Sequence, residues 1–134
     1  DMINLNAKIY SIQRHLLQDS RGWFLKITTG TEPGNRFKGE VYITSARPGE
    51  SKGGHYHLLA NEWFTLMKGK ALLTIIDIGS KEKAECSLDG DKPETIYIPA
   101  GVAHNFYNTG DENFVLIAFT DVKYDPSDTI SYNF

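Results

Sequence analysis

Six short apolar stretches, each closed off by turn-forming residues, constrain what this 134-residue chain can fold into. They are GWFLKITTG (22–30), EVYITSA (40–46), EWFTLMKG (62–69), ALLTIIDI (71–78), ETIYIP (94–99) and NFVLIAFTDV (113–122). β-Branched and aromatic side chains dominate them, and such residues suit a pleated, half-buried surface. Between them lie TEPGN, RPGESKGG, LDGDKP, PAG and NTGDEN, dense in the residues that turn a backbone. Strands at near-regular spacing, without intervening helices, predict an all-β fold, an antiparallel sandwich or barrel. Only SIQRHLLQD (11–19) has something like helical spacing, over too short a stretch to form a stable helix alone.

The bulk numbers fit one compact domain over residues 1–134, with room for a core. An N-terminal arm, residues 2–18, is too short to be a second domain; its alternating INLNAKIYSI suits pairing with another subunit. Net charge is −3 with both signs interspersed, so no basic surface for nucleic acid is indicated. No apolar run reaches the roughly 20 residues that span a bilayer, and the first residues lack the basic and apolar regions of a signal peptide. The single cysteine, Cys86, rules out an internal disulfide and fits a reducing compartment. A cytoplasmic protein is the resulting expectation.

Chemistry concentrates in GGHYHLLANEWF (53–64). In a strand, residues i and i+2 share a face, so His55 and His57 project together with Tyr56 opposite. Glu62 opens the next apolar stretch; a turn at LLAN returns it to the same pocket. Two imidazoles and a carboxylate are a metal-site composition that zinc, iron, manganese and nickel accept. PAGVAHNFYN supplies a fourth donor, His104, just after a Pro-x-Gly turn. A lone His-x-His is a weak signal, but three of the four histidines beside turn glycines with a spaced carboxylate are a stronger one. His15, the fourth histidine, lies in the polar arm and is given no role.

These residues resemble the two motifs of the cupin superfamily. Gly49, His55, His57, Glu62 and Gly69 match the first motif; Pro99, Gly101, His104 and Asn108 match the second. One position departs: Pro93 stands where the second motif opens with glycine, with Gly90 nearby. The resemblance implies a small antiparallel β-barrel or jelly roll with a metal pocket inside, held by His55, His57, Glu62 and His104. The implied cofactor is a divalent metal, zinc first, with iron, manganese or nickel as alternatives.

Other segments narrow the resemblance. DSRGWF (19–24) is similar to a segment of the deoxysugar 3,5-epimerases, and KGGHYH (52–57) is similar to the stretch carrying their catalytic histidine and a substrate-binding arginine. Those roles map to His55 and Lys52. The tail DVKYDPSDTISYNF resembles the end of those epimerases and of the 3,4-ketoisomerases. The pattern is closer to the C-terminal zinc cupin of bifunctional capsular-polysaccharide enzymes, which epimerise a UDP-linked 4-keto sugar. The epimerases' tyrosine acid has no counterpart near Ala118–Phe119. Tyr42, Tyr56 and Tyr107 are the substitutes; Tyr42 and Tyr107, with His55, form the catalytic expectation.

The resemblance thus implies α-proton abstraction on a nucleotide-linked 4-keto-6-deoxysugar, by epimerisation or 3,4-keto isomerisation, for surface polysaccharide. Its enolate needs a base and a positive partner for the oxygen. One imidazole lone pair cannot serve both metal and proton, so His55 as ligand and His55 as base compete. Arg21, Arg36, Arg47 and Lys52 flank the motif strands; Lys52, Arg47 and Arg21 are the candidates for the diphosphate. Related barrels form homodimers by exchanging N-terminal strands, which the arm permits. Two other readings stand beside this one: a cupin dioxygenase with a three-His, one-Glu iron or nickel centre, and a non-catalytic sugar- or metal-sensing module.

Overall fold

The structure, a computed structural model, describes residues 4–5 and 9–134. Two sheets face each other across the core, and every strand pairing is antiparallel. In chain order the strands are β1 (Asn4–Leu5), β2 (Ile9–Tyr10), β3 (Leu17–Gln18), β4 (Gly22–Thr28), β5 (Glu40–Ala46), β6 (Ser51–His57) and β7 (Glu62–Lys68). They continue with β8 (Lys70–Asp77), β9 (Lys83–Asp89), β10 (Thr95–Ile98), β11 (Val102–Asn108), β12 (Val115–Thr120) and, after a 3₁₀ turn at Pro126–Asp128, β13 (Thr129–Ser131). The six-stranded sheet runs β10-β7-β12-β5-β4-β3; the five-stranded sheet runs β13-β6-β11-β8-β9. This is the expected all-β jelly roll.

Alternation decides which face is core. Along β7, Glu62, Phe64 and Leu66 are buried while Trp63 and Met67 are exposed. Leu116 and Ala118 of β12 join them from the same sheet, and Ala71, Leu73 and Phe106 oppose them from the other. Phe106, Phe114, Leu73 and Leu116 are fully buried, each contributing about 1.5–3 kcal/mol. The polar cluster described below sits at one end of this same interior, so the core that stabilises the barrel also walls the site.

The stretch 11–19 contains no helix. Residues 11–16 have no regular structure, and β3 instead pairs Leu17 with Phe24 and Gln18 with Trp23. A sheet edge offered hydrogen bonds that a two-turn helix with no partner could not match. Arg14 fastens this segment to the barrel: its Nε donates to the Ile27 carbonyl at 3.2 Å and its guanidinium pairs with Glu32. In the arm, β1 and β2 pair with each other as a small hairpin. Residues 2–3 and 6–8 of the arm proposed for exchange lie outside the described residues. Strands β6, β9, β11 and β13 were not among the six stretches. Ser51–Gly54, read as turn punctuation, belongs to β6 because β11 pairs with it, Tyr107 to Ser51, Phe106 to Lys52 and Asn105 to Gly53.

Candidate metal centre and flanking cavities

Local backbone chemistry aims the four candidate ligands. On β6 the two-residue period turns His55 and His57 inward, with ring centroids 5.1 Å apart. His104 lies directly opposite His55 across the β6–β11 ladder, their rings 4.9 Å apart. The register shifts immediately afterwards, between His104 and Asn105, where Gly53 and Gly54 take φ of +105° and +74°. A Cβ on Gly53 would stand 2.7 Å from the His104 carbonyl oxygen, so this bulge needs glycine. Glu62, the first residue of β7, enters from the other sheet. One donor atom from each of the four residues lies within 4.8 Å of all the others.

The turn between His57 and Glu62 is set by residues distant in sequence. Asp128 is 7% exposed, and its carboxylate accepts from the N–H groups of Leu58 (3.1 Å), Leu59 (2.6 Å) and Ala60 (3.1 Å). Asn61 donates from backbone and side chain to Asp121, at 2.9 Å each, and its Oδ1 accepts from the Ala100 N–H at 3.0 Å. One asparagine thereby ties the first-motif turn to the Pro-Ala-Gly turn that precedes His104.

Proton positions follow from the partners. His104 Nδ1 lies 3.2 Å from the Val102 carbonyl, which can only accept, so Nε2 carries the free lone pair. His57 Nδ1 faces Thr129 Oγ1 at 3.3 Å and Asp128 Oδ2 at 3.7 Å, leaving its Nε2 for the interior. That Nε2 is 2.7 Å from Glu62 Oε1, and His104 Nε2 is 3.6 Å from the same oxygen. All three atoms are buried and none makes an aligned hydrogen bond. Their separations bracket the about 3.4 Å between ligands around a tetrahedral zinc. Converging orphaned lone pairs fit a divalent cation, and the residues present suit zinc or another borderline metal.

Without a cation the cluster titrates unevenly. Burial, then the nearby charges of His104 and His57, lowers His55 to about 4. Burial likewise lowers His104. Burial also opposes charge on His57, but contact with Glu62 and the Asp128 charge outweigh it and raise His57 overall. Burial pushes Glu62 up, yet His57 and the other imidazoles hold it below the ordinary range.

Two cavities flank the cluster, of about 450 and 390 Å³, and both are walled by Phe24, Tyr42 and His55. The larger also meets His57, Glu62, Glu40, Lys26 and Tyr124. The smaller meets His104, Lys52, Arg21 and Asp19. Tyr42 donates to Glu62 Oε2 at 3.1 Å. Burial, then the Glu62 charge, raises Tyr42 well above its ordinary value, so it stays a hydroxyl donor. Lys52 is buried with Nζ 3.3 Å from the Trp23 carbonyl; desolvation, then the Arg21 charge, lowers it. Arg21 pairs with Asp19 at 2.9 Å beside the same cavity.

Other expected residues are placed elsewhere. Arg47 donates to the Ser20 carbonyl at 3.0 Å and, like Arg36, lines neither cavity. Tyr107 lies on the outward face of β11, 42% exposed, because β11 alternates and His104 and Phe106 take the interior. It is thus not brought to the cluster, and Tyr56 likewise lines neither cavity. Asp128, Asn61, Glu40 and Lys26 escaped the sequence reading. Glu40 carried a legible signal: it stands two residues before Tyr42 in an alternating strand, and so shares its face.

A family model described as the polysaccharide biosynthesis C-terminal domain matches residues 17–132. A Bacillus subtilis spore coat polysaccharide biosynthesis protein, SpsL, is 28% identical over 90% of this chain and 82% of its own length. A Pseudomonas aeruginosa UDP-2-acetamido-2,6-beta-L-arabino-hexul-4-ose reductase is 26% identical over 92% of this chain. The capsular polysaccharide assembling protein CapF from Staphylococcus aureus superposes with a TM-score of 0.81 and 30% identity, over 92% of this chain. The chain spans 31% of that reductase and 33% of CapF. Oxalate decarboxylase from Lactobacillus farciminis shares the fold at a TM-score of 0.74 and 18% identity, covering 88% of this chain and 33% of its own.

Proposed function

The chain belongs to the polysaccharide biosynthesis C-terminal domain family, and from that premise we propose that it abstracts a proton α to the carbonyl of a nucleotide-linked 4-keto-6-deoxysugar, as an epimerase or 3,4-keto isomerase. The observation that carries this reading is the cluster of orphaned donor atoms set between two cavities of different character. The smaller cavity presents two cations, Lys52 and Arg21, suited to a diphosphate. The larger, with Tyr42, four carboxylates and the two lysines Lys26 and Lys123, suits the sugar. A relative named for reducing a UDP-linked hexul-4-ose supports a 4-keto substrate.

A divalent metal held by His55, His57, Glu62 and His104 supplies, when bound, the positive partner for the developing enolate oxygen, worth several kcal/mol. His55 then serves as a ligand, its lone pair committed. Tyr42 offers the substrate oxygen a hydroxyl, oriented by Glu62. Lys52, nearly dehydrated by the barrel, holds the phosphates without having to shed much water. We read the protein as a cytoplasmic homodimer; the exposed Trp63–Tyr97 and Phe37–Phe119 pairs support a surface covered by another copy. Among the described residues, no helix is long and apolar enough to cross a membrane.

The test is proton exchange. Incubation in D₂O with a UDP- or dTDP-linked 4-keto-6-deoxyhexose should add one or more mass units to the sugar. No gain with either nucleotide in metal-loaded protein sinks the reading, and oxygen uptake in its place would establish a dioxygenase.

A further inference from the structure

With His55 committed as a ligand, the reaction lacks a base. We propose that Glu40 is that general base, a role that rests on the enolising reading above. Register brings it to the site: Thr120 of β12 pairs with Glu40 of β5 on one side and Glu62 of β7 on the other. Glu40, Thr120 and Glu62 therefore form one row on the inward face of three adjacent strands, all buried. At about 4.8 Å per strand the two glutamate Cα atoms stand about 10 Å apart, and both residues line the larger cavity. A carbonyl oxygen near Glu62 and the adjacent carbon near Glu40 fit between them.

The hydrogen bonding of Glu40 is unlike that of Asp128 and Glu32. Asp128 accepts three backbone N–H groups. Glu32 accepts from Thr29, Gly30, Asn35 and Arg14. Both are fully engaged and structural. Glu40 makes one side-chain contact, Oε2 to Lys26 Nζ at 3.3 Å, and its Oε1 has no partner among the described residues. Glu40 lines the larger cavity, so this oxygen is free to meet solvent or substrate there. Lys26, also 4.8 Å from the Tyr124 ring centroid, holds Oε2 and leaves Oε1 toward the cavity.

In the step, the C–H bond beside the carbonyl breaks and an O–H bond forms on Glu40 Oε1. The C–H electron pair becomes the C=C bond of the enolate, and the carbonyl π pair moves onto oxygen. For epimerisation a solvent proton returns to the opposite face of the same carbon; for isomerisation Glu40 returns its proton to the former carbonyl carbon as the neighbouring hydroxyl loses one, and neither route needs an oxidant or reductant.

The experiment compares wild type, Glu40→Gln and Glu40→Asp, all metal-loaded, for deuterium uptake into a UDP- or dTDP-linked 4-keto-6-deoxyhexose. Metal content and nucleotide-sugar affinity are measured alongside. Glu40→Gln should exchange at least ~100-fold more slowly, with metal and affinity unchanged. Glu40→Asp keeps the charge opposite Lys26 but withdraws the oxygen by one methylene, and should lie between; it also decides the matter if the amide variant does not fold. Exchange within threefold of wild type in either folded variant overturns the assignment while leaving the enolising reading intact. Loss of metal or affinity sufficient to explain the slower rate makes Glu40 structural and also overturns it. No exchange in wild type removes both.

Discussion

Replacing Asp128 by alanine tests the structural logic of the site most directly. Its carboxylate is the acceptor for three N–H groups of the turn between two candidate metal ligands, His57 and Glu62. Ala60 is buried, so its orphaned N–H should cost about 1–3 kcal/mol. Leu58 keeps the Asp128 backbone carbonyl as an acceptor at 3.1 Å, and Leu59 is exposed enough for water to replace the lost one, at about 0.5–1 kcal/mol. The sum is about 1.5–4 kcal/mol. At this chain length a kilocalorie is worth about 3 °C, so the metal-free variant should melt about 5–12 °C below wild type. Asp128→Asn keeps an oxygen for Leu58 and Leu59 but turns an amide toward Ala60, and should lose less than half as much. Metal affinity should fall at least ~10-fold in the alanine variant, because the turn no longer fixes His57 relative to Glu62. Thermal unfolding with chelator, followed by metal titration, reads both effects. A melting point within about 3 °C of wild type would refute the assignment of Asp128 as the clamp of this turn.

Three further outcomes are expected. Gly53→Ala should lower stability by at least about 2 kcal/mol in a urea titration, since its Cβ would meet the His104 carbonyl at 2.7 Å in a left-handed backbone; a neutral result would mean the bulge relaxes freely. In chelated protein, the His55 ring should titrate near 4 by NMR against an ordinary 6.5, held down by burial first. Because the folded value is the lower one, the stability tied to neutral His55 is present above about pH 6.5 and lost as pH falls toward 4; a His55 signal titrating near 6.5 would contradict this. Lys52→Ala should raise KM for the nucleotide-sugar much more than it lowers kcat, and an unchanged KM would remove Lys52 from the phosphate site.

The sequence exposed what depends on local pattern. Strand alternation placed His55 and His57 on one face, and turn glycines marked where β6 and β11 bend. It was less informative where structure depends on pairing. Ser51–His57 is half glycine and histidine, and becomes a strand because β11 and β13 flank it. Asp128 looks like an ordinary tail aspartate until the fold places it against three N–H groups 68 to 70 residues away. Tyr107 follows the same alternation: odd and even positions of β11 face opposite ways, so His104 and Phe106 turn inward and Tyr107 outward.

The Asp128 clamp also has a consequence for the order of events in synthesis. All four candidate ligands leave the ribosome before residue 128, yet the turn between His57 and Glu62 is shaped by that later residue. A nascent chain long enough to contain every donor still lacks the geometry to hold a cation well. Closing so long a loop is slow relative to local strand pairing. If the four residues hold a metal as proposed, its tight capture would come last, once the tail has docked.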